Sequence, residues 1–279
     1  MRPMSNRNHA EPLFCDLDLA RRLEAAEAHA SVAWLKAYQR LYPAAGAVAE
    51  PVAGGWARFA GIDSPVTQAN GLGMSGPVSE SDLDRMEELY RRRGSSCRVI
   101  LCPLADPSLL ASLSQRGYRL TEMENVLVRR IEPSEREAPS VPGVTVRRAS
   151  EQERDLWAGI MEGGFFEYGV PDPKIGEMFQ ASAAGLQCYL GFLNDEPAGA
   201  GVIFMHEGVA LFSGAATLPR FRHRGVHKAL HGTRLACAAA EGCDLACVIT
   251  QPGSTSQRNA ERQGFHVAYT RAALVRAFA

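Results

Sequence analysis

The 279-residue chain contains no run approaching the ~18 consecutive apolar residues of a membrane-crossing helix, so no membrane partner is expected. It has no C-x-x-C pair either. The seven cysteines, Cys15, Cys97, Cys102, Cys188, Cys237, Cys243 and Cys247, are odd in number and scattered, and five lie in or beside apolar runs. That usage argues against a disulfide framework and leads us to expect reduced core thiols in a cytoplasmic protein. Residues 1–12 are polar and lack the apolar run of a secretory signal. Charge of one sign is also lacking: 30 Lys and Arg stand against 31 Asp and Glu, a formal net charge of −1. The chain as a whole is therefore no polyanion binder, a nucleic-acid partner is not expected, and any anion site must be local. With 46% apolar and 22% charged residues the composition excludes a wholly disordered or fibrous chain, and the length suggests two domains.

A boundary and a repeat support that division. Residues 131–143 (IEPSEREAPSVPG) carry three prolines, three glutamates and little to bury, as an interdomain linker would. Before them stands GYRLTEMENVLVRRI from Gly117, and near the end of the chain stands GFHVAYTRAALVRAF from Gly264. The two align without a gap at an offset of 147, and each follows an apolar strand-like run, a turn with proline and a short helical stretch. A common strand, helix, hairpin order can look alike by accident, but duplication accounts better for the shared L-V-R in register. The expected units are residues 1–131, a linker at 132–143, and residues 144–279.

In the second unit, Val144 to Arg148 alternates as a strand. Ser150 caps a helix to Gly163, with Glu153 closing a capping box, and Pro173 opens a second helix to Ala183. Strands are expected at Gln187 to Leu193, Gly199 to Met205 and Val209 to Thr217. A helix from Gly225 to Glu241, a strand from Leu245 to Thr250, a helix to Gln263 and a closing hairpin complete an α/β sheet with helices on both faces.

Between Glu207 and Glu241 there is no acidic residue, yet Arg220, Arg222, Arg224, Lys228 and Arg234 fall there with three histidines. The positive charge is concentrated where strand turns into helix. A helix N-terminus with Gly225 for close approach and arginines nearby suits a pyrophosphate. A solvated face is the plainer reading of a basic run, but such faces mix acids with bases. His223, His227 and His231 recur at four-residue spacing. No carboxylate or thiol completes a metal set and the arginines would repel a cation, so no metal is expected.

The run L-P-R-F-R-H-R-G-V-H-K-A-L resembles the acetyl-CoA-binding motif of the GNAT superfamily of acyl-CoA-dependent N-acyltransferases. That motif reads Arg or Gln, two residues, Gly, one residue, then Gly or Ala. Arg222 and Gly225 fall on its first two fixed positions, and His227 departs from the third. Gln257 to Phe265 (QRNAERQGF) resembles the family's last helix and its Gly-Phe exit. The resemblance covers about 135 residues, and the repeat extends it to two tandem GNAT-like domains, each a mixed, mostly antiparallel sheet flanked by helices. It implies that the backbone of Ala216, Thr217 and Leu218 pairs with the pantetheine arm of acetyl-CoA. The turn through Arg222, His223, Arg224, Gly225, Val226 and His227 would hold the phosphates. The loop from Pro252 to Ser256, with Ser254, and the helix carrying Asn259 would form the second wall.

The family transfers an acyl group from the thioester directly to an amine, with a base for the ammonium proton and often a tyrosine to protonate the thiolate. In this chain that tyrosine's position is Ala260. A thiol of pKa about 8.5 is a fair leaving group without help. Asn259, Ser254 and Ser256 are the polar candidates on the thiolate side, though Asn259 has a second reading as a hydrogen bond to its own loop. Glu167 and Tyr168 are candidates for the base, as are His206 and Glu207. Phe165, Phe166 and Tyr168 would line an acceptor pocket or belong to the core.

The equivalent turn in the first unit, NGLGMSGPVSESDLDRMEEL from Asn70, has no arginine before Arg85, and Ser79 with Asp82 forms a capping box. Its helix dipole is answered by its own carboxylates, so the first unit is expected to be a copy without cofactor. A fragment from about Gly143 would then keep acetyl-CoA binding if it folds. The expected function is acyl transfer to a small-molecule or peptide amine, with a non-catalytic acyl-CoA-binding protein as the alternative.

Overall fold

The computed structural model describes residues 13–166 and 173–278. In the first half, α1 (Leu17–Leu41) is followed by β1 (Val48–Val52), β2 (Gly55–Phe59), β3 (Gln68–Asn70), α2 (Glu80–Arg91), β4 (Cys97–Leu101), α3 (Pro107–Gln115) and β5 (Arg119–Arg130). The second half runs β6 (Val144–Arg148), α4 (Arg154–Phe165), α5 (Pro173–Gly185), β7 (Gln187–Leu193), β8 (Glu196–His206), β9 (Val209–Leu211) and β10 (Ala215–Thr217). It ends with α6 (Val226–Ala240), β11 (Leu245–Thr250), α7 (Thr255–Glu261) and β12 (His266–Arg276). The expected helices are present, including the capping box of Ser150 and Glu153, and so are the expected strands other than Val209 to Thr217, which is split in two.

One point of organisation differs from expectation. The second half has no closing hairpin, because only one strand follows Gly264. All strands join in a single 12-stranded sheet in the order β1-β2-β3-β4-β12-β5-β11-β9-β8-β7-β6, with β10 on β8. The halves have exchanged their last strands: β12 lies between β4 and β5, and β5 lies between β12 and β11. Each terminal strand satisfies its backbone on both edges only by crossing to the other half.

The repeat is visible in that pairing. Tyr269 faces Val126 and, 147 residues earlier in the repeat, Glu122 faces Ala273. The register slips once past Ala268 and once past its counterpart Thr121. Arg271 faces its own counterpart Glu124, so a local two-fold axis passes through that pair. Upstream the correspondence slips by two: Ala272 faces Leu101 while its counterpart Asn125 faces Thr250. The connection from Leu101 to Gly117 is two residues longer than that from Thr250 to Gly264.

Helix α1 covers the seam. Its alanine-rich sequence favours the helix, Asp16 accepts from Leu19 N as N-cap, and Ala20, Leu23, Ala30, Trp34 and Tyr38 form one buried face. The Trp34 indole donates to the Met178 carbonyl at 3.0 Å and the Tyr38 hydroxyl to Glu177 at 2.8 Å. A Cβ on Gly185 would lie 2.8 Å from the Ala37 Cβ, so this glycine sets how closely α5 approaches α1. Under the middle of α1, Arg271 is buried and pairs with Glu24, Glu27 and Glu124.

Candidate functional site

Sequence reads Val209 to Thr217 as one strand, and the structure breaks it. Parallel pairing of β9 with β11 ends at Cys247, whose carbonyl accepts from Phe212 N at 2.8 Å. The chain then bulges through Ser213 and Gly214, the latter at φ 71°, and resumes as β10 beside β8 alone. Past Cys247, β11 pairs with β5 on one edge, and among the described residues its other edge has no strand. The two strands splay.

Hydrogen bonds show which backbone groups face the opening. Val202 N donates to the Gly214 carbonyl and Leu218 N to the Ala198 carbonyl, while Ala216 is paired with Ala200. Antiparallel alternation therefore turns the backbone groups of Ala216 and Leu218 to β8 and those of Thr217 to the splay. Of the three strand residues singled out in sequence, Thr217 presents its N–H and C=O to the opening. At the ends of the splayed strands, the Thr217 and Thr250 hydroxyls are buried without a hydrogen-bond partner. A ligand with polar groups would satisfy them.

The basic turn follows. After a short turn at Pro219–Phe221, His223 and Gly225 adopt left-handed φ values of 61° and 84°, and α6 begins. The first helical bond is Ala229 N to the Gly225 carbonyl, leaving the N–H groups of Val226, His227 and Lys228 outside the helical ladder. Helices α1, α2, α3 and α7 each have a side-chain oxygen cap; α6 has none and no carboxylate in its first turn. Arg222, His223 and Arg224 are exposed. The Arg222 guanidinium donates to the Thr217 carbonyl at 3.4 Å and to the Gly164 carbonyl at 3.1 Å, at the mouth of the splay. Burial and the nearby Arg234 push His227 down to about 4, so it adds no charge near neutral pH. The residues present fit a phosphate-bearing ligand whose chain runs from this turn into the splay.

Two glycines bring α4 against β10. A Cβ on Gly164 would lie 2.5 Å from the Ala216 Cβ, and one on Gly163 would lie 2.9 Å from Leu218. Phe165 and Phe166 follow immediately and are exposed beside the mouth, with Phe165 stacked on Phe179. Glu167 and Tyr168 lie outside the described residues. His206 and Glu207 sit at the opposite end of the sheet: His206 pairs with Val209, where β9 begins, and stacks on His29 of α1. They are not brought to the splay.

On the other wall, the Ser254 hydroxyl caps α7 by accepting from Gln257 N, and Ser256 is exposed. Asn259 is half-buried and its carbonyl accepts from Gln263. Ala260 is buried in the core with Phe212, Phe265 and Val226. His231 packs edge-on against Phe212 and Phe265. Among the described residues no group of His, Cys, Asp or Glu could hold a metal ion.

Sequence reasoning missed the bulge at Ser213 and Gly214, whose only signal was a glycine inside a strand pattern. It also missed that β5, from the first half, supports the second half's splay: Asn125 faces Thr250 and donates to Gln257 of α7 at 3.2 Å.

The corresponding place in the first half is closed. Asp106 N donates to the Gly73 carbonyl at 2.9 Å, bridging the ends of the two strand connections. Val78 and Leu109 pack on Gly73. Ser79 caps α2, and Glu80 and Asp84 pair with Arg116.

No protein-family model matches the chain, and no curated protein matches it by sequence. Among solved structures it is similar to a GCN5-related N-acetyltransferase from Kribbella flavida, with 19% identity over 90% of this chain and 96% of that one and a TM-score of 0.58. It is also similar to a tandem GNAT protein from the clavulanic acid biosynthesis pathway, with 14% identity over 93% of each chain and a TM-score of 0.59. A GCN5-related N-acetyltransferase from Sphaerobacter thermophilus matches at 16% identity, covering 75% of this chain and 71% of that one, with a TM-score of 0.53. The chain thus has the GNAT fold. Within it, the arrangement is the tandem one, two copies sharing one sheet.

Proposed function

We propose that the protein is an acyl-CoA-dependent N-acyltransferase with one donor site, in the second half, and that residues 1–131 are a copy without cofactor. The observation that carries the reading is the strand splay ending on an uncapped, acid-free helix N-terminus flanked by Arg222 and Arg224. Acetyl-CoA would lay its pantetheine arm along the Thr217 edge, between Ala216 and Leu218, and its pyrophosphate on the Arg222 to His227 turn. Ser254 and Asn259 of the α7 region would form the second wall. Bound there, the thioester supplies an activated acyl carbon, while the chain's own residues orient it, exclude water and hold charge. Phe165 and Phe166 favour an amine acceptor with an apolar portion, and Glu167 and Tyr168 remain the base candidates. A second reading, acyl-CoA binding without transfer, draws on Ala260 at the usual acid's position.

The test is calorimetry with acetyl-CoA followed by CoA thiol release across amino acids, polyamines, aminoglycosides and peptides. One equivalent per chain is expected. Arg222→Glu should weaken binding on the order of ten-fold or more, since a charge-assisted hydrogen bond contributes roughly 1.5–3 kcal/mol, while Arg85→Glu on α2 should leave it unchanged. Two equivalents per chain, or equal effects from both substitutions, would refute the single-site reading. Saturable binding without thiol release from any amine would favour the second reading.

A further inference from the structure

Arg234 lies on the sheet-facing side of α6, two turns beyond the basic turn, and is 2% exposed. Room for it exists because position 201 of β8 is glycine: a Cβ there would lie 3.2 Å from the Arg234 Cζ. Its Nη1 donates to the Val202 carbonyl at 2.9 Å and to the Gly214 carbonyl at 3.4 Å, its Nε donates to the Leu230 carbonyl, and its Cζ stands 4.8 Å from the Phe212 ring centre. Every hydrogen-bond acceptor is thus a neutral carbonyl, and one of them, Gly214, belongs to the bulge itself.

No carboxylate pairs with Arg234 among the described residues. Titratable groups around it are His227 and His231 on the same helix and Tyr189 on β7, with Arg129 of β5 acting on His231. Both histidines are held neutral and the Tyr189 phenol is pushed up, so none supplies a counter-charge near neutral pH. By contrast, of the two other deeply buried arginines, Arg271 sits among three glutamates and Arg58 lies in the field of Glu27. A buried guanidinium without a carboxylate is costly unless something anionic arrives beside it. The bulge it underlies is the inner end of the splay.

We infer that Arg234 is an electrostatic positioning residue for acyl transfer, holding the bulge and stabilising the negative charge that develops there, first on the thioester oxygen and then on the CoA sulfur. The inference rests on the proposed donor site and deepens it. In the transfer, the amine lone pair forms the C–N bond to the thioester carbon and the carbonyl electrons move to oxygen. On collapse the C–S bond breaks with its electron pair on sulfur, and the ammonium proton passes to a base or water. A sulfur that departs as thiolate beside a fixed cation needs no protonating phenol, which accounts for alanine at position 260.

The experiment titrates the thiol of bound CoA by its ultraviolet thiolate absorbance in the full chain, with calorimetry of CoA and acetyl-CoA and thermal unfolding alongside. A buried cation beside the sulfur favours the thiolate over the thiol, and a shift of about one pKa unit is a roughly ten-fold change in that equilibrium, so wild type should titrate its bound thiol at least that far below free CoA. Arg234→Met should return the value toward that of free CoA, leave acetyl-CoA affinity within about three-fold, and raise the unfolding temperature by relieving a buried charge. Arg234→Lys should keep part of the shift. A wild-type thiol that titrates like free CoA overturns the inference whatever the variants do. So does an Arg234→Met protein that retains the shift, or one that loses binding and stability together. Should wild type bind no CoA at all, the donor-site reading fails and this inference with it; binding with an unshifted thiol removes the inference alone.

Discussion

Replacing Arg271 by methionine tests the strand exchange at its centre. The guanidinium is 2% exposed and donates to both oxygens of Glu27, to Glu124 at 2.9 Å and to Glu24 at 3.4 Å. Arg58 is a second buried cation acting on Glu27. Methionine restores most of the volume but strands carboxylates brought from α1 and β5, and removing one member of a buried ion cluster costs about 3–5 kcal/mol. Glu24→Gln is the control. Burial pushes the Glu24 carboxyl upward toward its neutral form, and its Oε1 accepts from the Tyr269 hydroxyl at 2.7 Å, a role glutamine keeps. Its cost should stay near 1 kcal/mol. Equilibrium urea unfolding of the full chain reads both. At a slope of about 2–3 kcal/mol/M, Arg271→Met should lower the midpoint by roughly 1–2 M. Because the folded Glu24 carboxyl binds its proton more tightly than the unfolded one, it favours folding at low pH, and that contribution is lost as pH rises through the folded value; Glu24→Gln should remove this trend. An Arg271→Met midpoint within experimental scatter of Glu24→Gln would refute the account of the cluster.

Three further outcomes are expected. A fragment of residues 143–279 should fail to fold as a monomer, since β12 loses both β4 and β5 and β11 loses β5; circular dichroism with calorimetry checks it, a folded monomer binding acetyl-CoA at full affinity being the contrary result. His231 is pushed down to about 2 by burial and by Arg234, so the unfolded chain binds its proton first and stability falls as pH drops below about 6.5. By pH 5 that amounts to about 2 kcal/mol, and His231→Leu should remove it from urea unfolding curves recorded at the two pH values; identical pH trends would contradict the assignment. Ala260→Tyr should lower the unfolding temperature without raising thiol release, because position 260 packs in the core and overpacking costs about 1–3 kcal/mol; faster release with unchanged stability would restore thiolate protonation as the slow step.

Much of the molecule was legible in local pattern. The capping box at Ser150, the Pro173 helix start, the alternating strands of the second half and the basic, acid-free turn all arise from interactions within a few residues, so sequence alone determined them. The repeat offset, read only as a likeness of two segments, also carried the two-fold pairing of β5 with β12. Other features depend on which strand lies beside which. The exchange of terminal strands, the support of the splay by Asn125, the burial of Arg234 against Gly201 of β8 and the charge cluster around Arg271 join residues up to 247 positions apart. A strand's own side-chain alternation prescribes which face is buried and says nothing of its neighbour, because backbone hydrogen-bonding groups are the same in every strand. The long loops closed by these pairings are therefore decided by the packing of the whole sheet against α1 and α6, which only the tertiary structure contains.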